Sequence, residues 1–404
     1  MITLANNILA SGGTISPLKI LDVDGLGNRG FSNPSIIKHN GKTLVSLRSC
    51  DYTFFTFISP MYTRQRIIWF PINNDLAKTC YNSRNAICEI DDDFKVSNPK
   101  LFLIEKGNEQ YNGYEDIRLS SYNGQLYASA SFPLHDRIPL RICKLNDSDY
   151  SIQSYNDYQI NQIEKNWMPV LDREGDYMYI APERVINVKD GNVTDVKMQK
   201  TEDTFRGSSQ LVPYVLDGRD GYVCVVHRSM VEPHDAFFEM NYYHKLLFFD
   251  KEYNLLNTSD WFKFMGFPIE FTCGLMVEEN TVIFPFSIMD SCSFISKFDK
   301  CVFDDMLLHR LSSYESNCSI NDYTCNITRK MCDYIINDGT DNYAAKIALS
   351  SYAASRADSK EEALNYYQMA LEWLKSFDCA QPNAYMHQLL FQDLVLEQIK
   401  KLKR

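Results

Sequence analysis

Five short segments of this chain concentrate the side chains that can move protons or hold anions. They are Asn33-Pro34-Ser35, Glu115-Asp116-Ile117-Arg118, Lys165-Asn166-Trp167, Gly207-Ser208-Ser209-Gln210 and Ile269-Glu270-Phe271-Thr272-Cys273-Gly274. Carboxylates such as Asp116 can give and take protons. Arginine and lysine converge on phosphoryl oxygens, arginine with a bidentate fork. An indole such as that of Trp167 offers the apolar face of a sugar ring a surface to lie on. Each residue also has a structural reading. Asp116 and Arg118, two apart on one strand face, also read as an ion pair. Trp167 reads equally as core, Glu270 as a turn cap, and His227 as a satisfied core histidine.

The elements that must position these segments form a repeat. Asn40 to Arg48, Asn123 to Ala130, Glu174 to Ala181, Asp220 to His227 and Glu278 to Pro285 each pass from a polar turn, mostly with Gly, into an apolar run. That is the pattern of a hairpin turn entering a buried strand. A second strand candidate follows each: Arg66 to Ile72, Leu140 to Leu145, Arg184 to Val188, Lys245 to Asp250 and Phe294 to Phe298. Units about 45–80 residues apart, each worth about four strands, are the pattern of propeller blades. The expected fold is an all-β five-bladed β-propeller over residues 1–305, with Ile15 to Val23 supplying a strand that closes the ring and removes an exposed edge. The five polar segments, one per repeat, then converge on the central channel.

Beyond it the pattern turns helical. Residues 306–341 are expected to connect, and 342–404 to form an α-helical extension loosely like one tetratricopeptide unit. Ser359 and Glu362 make a capping box, and Leu364, Tyr367, Leu371 and Leu374 share one helix face. This tail serves either as a packing element or as a docking platform for a protein partner.

Composition narrows the function classes. A net charge of −11 repels nucleic-acid phosphates, and the only basic run is the tail Lys400-Lys401-Leu402-Lys403-Arg404. No apolar run reaches the roughly 18 residues of a membrane span. Residues 1–13 lack the basic start and apolar core of a secretory signal, so the 12 scattered cysteines read as thiols of a reducing, cytoplasmic compartment. Cys318, Cys325 and Cys332 have no histidine to complete a zinc set. His234, Glu239 and His244 are spaced by fives, which sets the glutamate on the opposite strand face from both histidines. No metal and no cofactor is expected.

Glu115-Asp116-Ile117-Arg118, Lys165-Asn166-Trp167, His227-Arg228 and Tyr243-His244 resemble, in motif order, the mannoside phosphorylases of glycoside hydrolase family 130. They also resemble related inverting β-mannosyltransferases and propeller glycosyltransferases. The family has Pro where this chain has Ile117, and the helical tail lies outside the resemblance. The resemblance implies a five-bladed propeller with Asp116 as general acid/base. It also implies that Arg118, Lys165, His227 and Tyr243 surround phosphate or a phosphate-bearing sugar. Arg48, Glu115, Asn166, Trp167, Ser209, Gln210, His244 and Glu270 complete the expected contact set. The leading expectation is an inverting glycosyltransferase that moves a sugar, mannose by the resemblance, from an activated phosphate-bearing donor to a glycan or glycoside acceptor. The alternatives are phosphorolysis of β-mannosides with inorganic phosphate and a non-catalytic glycan-binding propeller. Hydrolysis would need a second carboxylate aimed at water, for which Glu270 is the candidate.

Overall fold

The structure, a computed structural model, describes residues 3–18, 30–50, 52–57, 64–69, 81–102, 111–134, 136–179, 184–189, 192–198, 205–231, 240–310, 320–338, 342–376 and 384–403. Five antiparallel sheets follow one another along the chain as the blades of a propeller. Blade 1 is Ser32–His39, Lys42–Cys50, Tyr81–Ile90 and Val96–Phe102; blade 2 is Glu115–Tyr122, Gln125–Ser131, Leu140–Leu145 and Ile152–Tyr158. Blade 3 is Met168–Pro169, Asp176–Met178, Arg184–Lys189 and Asn192–Met198. Blades 4 and 5 split their innermost strand in two. Arg206–Gly207 and Val212–Leu216 both pair with Arg219–Val231, and Glu270–Phe271 and Met276–Glu278 both pair with Thr281–Ile288. Met240–Asp250 and Leu255–Thr258 complete blade 4, and Cys292–Asp299 continues blade 5.

The ring closes by a strand at the start of the expected Ile15 to Val23 stretch, of which residues 19–23 lie outside the described residues. Thr14–Pro17 pairs with Cys292–Asp299 as the outermost strand of blade 5, so the two ends of the propeller share one sheet. The Asn-Gly turns are also where the repeat placed them. Asn40 and Gly41, at φ 47° and 77°, both adopt the left-handed backbone that a two-residue hairpin demands.

One strand expectation is corrected. Arg66 to Ile72 was expected as the next strand of blade 1. Instead Arg64–Trp69 pairs with Tyr52–Phe57 in a separate hairpin, and Tyr81–Ile90 takes the place in the blade. The reason is burial: Ala86 and Cys88 fill the blade core, whereas Phe55 packs on a helix. Residues 70–72 lie outside the described residues.

Six helices are described: α1 (Leu4–Ala10), α2 (Cys301–Leu307), α3 (Ile320–Asn337), α4 (Tyr343–Ser355), α5 (Lys360–Ser376) and α6 (Ala384–Lys403). The first three were not foreseen, and α3 occupies the stretch expected to connect. The capping box is present, with Glu362 N–H donating to Ser359 Oγ at 3.1 Å and Glu362 reaching back to the Asp358 N–H. The buried apolar residues of α1 to α6 form one cluster with those of blades 4 and 5. The helices therefore lie against the propeller on a shared core. Among the described residues no helix is long and apolar enough to cross a membrane.

Candidate active site

The innermost strands of blades 1 and 2 each carry one residue more than the strand they pair with. Ser32 and Ser35 oppose Arg48 and Ser46, and Glu115 and Arg118 oppose Ser131 and Ser129. The extra residue is a β-bulge, which re-aims a side chain. In the first bulge it is Asn33, at φ 51°, and in the second Asp116, at φ 58°. Asn166 holds φ 61° just before the innermost strand of blade 3. Asn and Asp tolerate this left-handed region better than other residues with a Cβ. Three blades thus use the same backbone device beside the axis.

The bulges bring a charged network together. Arg48 Nη1 lies 3.0 Å from Asp116 Oδ1, Nη2 lies 3.4 Å from Glu115 Oε1, and Nε donates to Ser83 Oγ at 2.8 Å. Asn33 Nδ2 donates to the same Asp116 oxygen at 2.8 Å, and its Oδ1 accepts from Ser287 Oγ at 3.0 Å. Lys165 Nζ reaches Glu115 Oε2 at 2.6 Å. Blades 1, 2, 3 and 5 all contribute. Burial pushes the Asp116 carboxyl up, but Arg48, Arg118, the Asn33 amide and Lys165 together outweigh it and hold it below the usual carboxylate range. At neutral pH Asp116 is a carboxylate.

Below this network the axis is plugged. Gln210 is buried, with Nε2 3.0 Å from Ser35 Oγ and from the carbonyls of Ile36 and Leu119, while its Oε1 accepts from Leu275 N–H at 2.9 Å. One amide thereby ties blades 1, 2, 4 and 5. The approach is so close that a Cβ on Gly274 would lie 2.5 Å from Ile36 N and 2.7 Å from Ser35 Cα. The charged cluster, unlike Gln210, is reached by solvent, with the side chains of Glu115, Asp116 and Lys165 28%, 17% and 38% exposed, and it forms the cup where a ligand can meet Asp116.

Other expected residues are placed differently. Arg118 is buried and gives its guanidinium to the carbonyls of Ser208, Asp116 and Gly207, so it makes no ion pair with Asp116's carboxylate. Ser209 donates to the Gln210 carbonyl and accepts from Val225 N–H. Trp167 is fully buried, its Nε1 donating to Glu164 at 3.0 Å, so its ring is core and offers no surface to a sugar. Glu270 is fully buried too. It accepts from the N–H groups of Phe264, Met265 and Phe267 at 2.5, 2.8 and 2.9 Å, which turns it away from any water in the channel. His244 stacks on Phe264 at 3.9 Å in an aromatic interior. His234 and Glu239 lie outside the described residues, as do Cys318 and the side chain of Cys325.

His227 does border the cluster. Its Nδ1 lies 2.8 Å from Ser208 Oγ and its ring stacks on Tyr242 at 5.6 Å. Burial, with help from Arg118 and Arg206, lowers it to about 3, so the imidazole is neutral. Tyr243 opposes Arg228 in the strand register and sits with that guanidinium, on the other face from His227. Tyr242 takes the place expected of it. Burial raises the Tyr242 hydroxyl, and Asp290, Asp116 and Glu115 add to the effect.

Sequence reasoning passed over Tyr52, Tyr242 and Asp290. Asp290 sits at the tip of the blade 5 hairpin with Met289, both left-handed, and accepts from Tyr52 Oη at 2.7 Å. Burial raises its pKa, Arg48 and Tyr52 oppose, and Asp116 and Glu115 add to the rise. Asp290 was readable only as part of a Met-Asp-Ser turn. Tyr52 stood in an aromatic run with nothing to mark it.

No family model matches the chain, and no curated protein does. In structure it is similar to glycoside hydrolase family 130 proteins. The β-1,2-mannobiose phosphorylase of Listeria innocua is 13% identical, with 73% of this chain and 97% of that chain covered at a TM-score of 0.48. A structure from the family 130 mannoside phosphorylases, which contain glycoside hydrolases that target β-1,2 mannosidic linkages in Candida mannan, is 11% identical over 71% and 94%, with a TM-score of 0.47. A glycosyl hydrolase from Bacteroides ovatus is 11% identical over 74% and 90%, with a TM-score of 0.46.

Proposed function

We propose that the protein is a carbohydrate-active enzyme that cleaves β-mannosides with inorganic phosphate in the cup at the channel mouth. The observation that carries this reading is the grip of Arg48 and Asn33 on Asp116, with Lys165 and Glu115 alongside. One proton-handling carboxylate beside fixed cations suits a reaction in which the anion itself attacks. A phosphate oxygen bonds to the anomeric carbon as the glycosidic C–O bond breaks, and the departing oxygen takes a proton from Asp116. Asp116 is ionised at rest, so it must first gain that proton. An arriving phosphate competes for Arg48 and adds negative charge, and both effects raise the carboxyl.

Phosphorolysis is placed ahead of transfer from an activated donor for two reasons. The sequence motives for transfer were a helical tail able to dock a partner or acceptor and Ile117 in place of the family's Pro, yet α4, buried from Ala344 to Ala354, is packed into the shared core. Arg48 and Lys165 already converge on one carboxylate, Glu115, a spacing that suits a small anion. The test is thermal shift with inorganic phosphate, mannose 1-phosphate and nucleotide sugars in turn. A ligand at a hundred times its Kd adds about 2.7 kcal/mol. Stabilisation by phosphate or mannose 1-phosphate is the expected outcome; stabilisation by nucleotide sugars alone would favour transfer.

A further inference from the structure

We propose that the helical layer is a working part of this site: α4 fastens the two hairpins that carry Tyr52 and Asp290, and so sets where the Asp290 carboxyl lies beside the charged cluster. The connection is a closed ring of three hydrogen bonds. Tyr52 Oη donates to Asp290 Oδ2 at 2.7 Å. The next residue after Tyr52, Thr53, donates its hydroxyl to the Ala344 carbonyl at 2.7 Å. The next residue after Asp290, Ser291, accepts at its carbonyl from Asn342 Nδ2 at 3.0 Å. Asn342 and Ala344 both belong to the start of α4, where Asn342 is the N-cap and also accepts from Ala345 N–H at 3.0 Å.

One hairpin, Tyr52–Phe57 with Arg64–Trp69, is inserted between two strands of blade 1, and the other belongs to blade 5. Both are pinned beyond the ring as well. Thr56 N–H donates to Ser351 Oγ of α4 at 3.0 Å, Tyr367 Oη of α5 donates to the Thr56 carbonyl at 3.0 Å, and Phe55 stacks on Tyr367. On the other side Gly30 fills the corner. A Cβ there would lie 1.9 Å from the Ser291 carbonyl oxygen and 2.7 Å from Asn342 Oδ1. The alanine-rich first turns of α4 let strand and helix backbones come this close.

The ring lies beside the charged cluster: Tyr52 follows Arg48 by four residues, and Asp290 follows by three residues Ser287, whose hydroxyl bonds the same Asn33 amide that holds Asp116. Asp290 is in electrostatic reach of Arg48, Asp116 and Glu115, and all three bear on its proton. Tyr52, Thr53 and Asn342 are therefore positioning residues, and α4 acts through them. This inference rests on the proposed phosphorolysis for its catalytic readout, but the ring itself has a readout without turnover.

The experiment uses the full chain. Thr53→Val removes the hydroxyl at nearly constant shape, Thr53→Ser restores it, and Asn342→Asp keeps the N-cap while losing the donor to Ser291. With β-mannobiose and inorganic phosphate, Thr53→Val and Asn342→Asp are expected to lower kcat at least about tenfold with KM changed less than about twofold. Thr53→Ser is expected to recover most of that loss. Unchanged kcat in both variants, alongside a lowered Tm, would leave α4 a packing element and overturn the proposal. If the natural chain itself shows no turnover, the proposed function fails instead. The ring is then judged by the Tm values of Asp290→Asn, Thr53→Val and the double variant: non-additive shifts support it, and additive shifts overturn it.

Discussion

Arg48 of blade 1 crosses to blade 2 and holds Asp116 at 3.0 Å while its Nη2 lies 3.4 Å from Glu115. Both arginine and aspartate are largely withdrawn from water, with side chains 8% and 17% exposed. Removing one partner of such a pair leaves an uncompensated buried charge, at a cost of about 3–5 kcal/mol. Arg48→Gln is expected to destabilise the fold on that scale, read by urea denaturation. The alkaline limb of the pH–rate profile, set by loss of the Asp116 proton, is expected to move to higher pH, because burial, no longer offset by Arg48, then raises the Asp116 carboxyl.

Glu270 offers a contrast between structure and chemistry. Its three backbone donors become poorly satisfied in Glu270→Gln, because half of the amide is itself a donor. A loss of about 2–4 kcal/mol is expected from the unmatched buried groups. The phosphate affinity of the folded variant, measured by calorimetry, is expected to stay within about twofold of the natural chain.

Two buried histidines set an acid limit on the fold. Burial holds His227 near 3, and His244 well below its ordinary value. On acidification from about pH 6.5 the unfolded chain therefore binds protons that the folded chain refuses. Stability falls as pH falls, by about 1.4 kcal/mol per pH unit for each histidine, and these groups contribute no slope above about pH 7. Asp116 adds a loss at lower pH, since a depressed carboxyl stabilises the fold only while ionised. Urea midpoints between pH 7 and 4 check the sign, and His227→Asn is expected to reduce the slope in that window.

How much of this was legible in the residues depended on what kind of signal each one left. The repeat of Gly-containing turns and apolar strands carried the blade count, because each hairpin repeats the same local chemistry. It failed at Arg64–Trp69, where an equally strand-like run pairs outside the blade. At the site, type and spacing marked Asp116, Glu115 and Lys165 as chemistry-bearing. They could not tell which face of a strand a side chain takes, and that decides the outcome. Trp167 and Glu270 look like a platform and a base but face inward, whereas Tyr242 and Asp290 gather at the cluster without any motif. Nor could spacing reveal that Asn33, Asp116 and Asn166 share one backbone conformation, though Asn or Asp recurring at one repeat position was the available hint.

Asp116→Asn separates an enzyme from a binding module. The amide keeps the shape and an acceptor for Arg48 but cannot protonate a leaving oxygen. Turnover is expected to fall about 10²- to 10⁴-fold, with substrate affinity by calorimetry changed only a few-fold. Undiminished turnover would remove Asp116 from the role of acid.

The most direct measurement is to follow a β-mannobiose with the protein by proton and phosphorus NMR, with and without inorganic phosphate. The expected result is α-mannose 1-phosphate, formed only when phosphate is present, since attack by phosphate inverts the β-linkage. Free mannose released at the same rate without phosphate would contradict phosphorolysis and require a water-activating base in the cup.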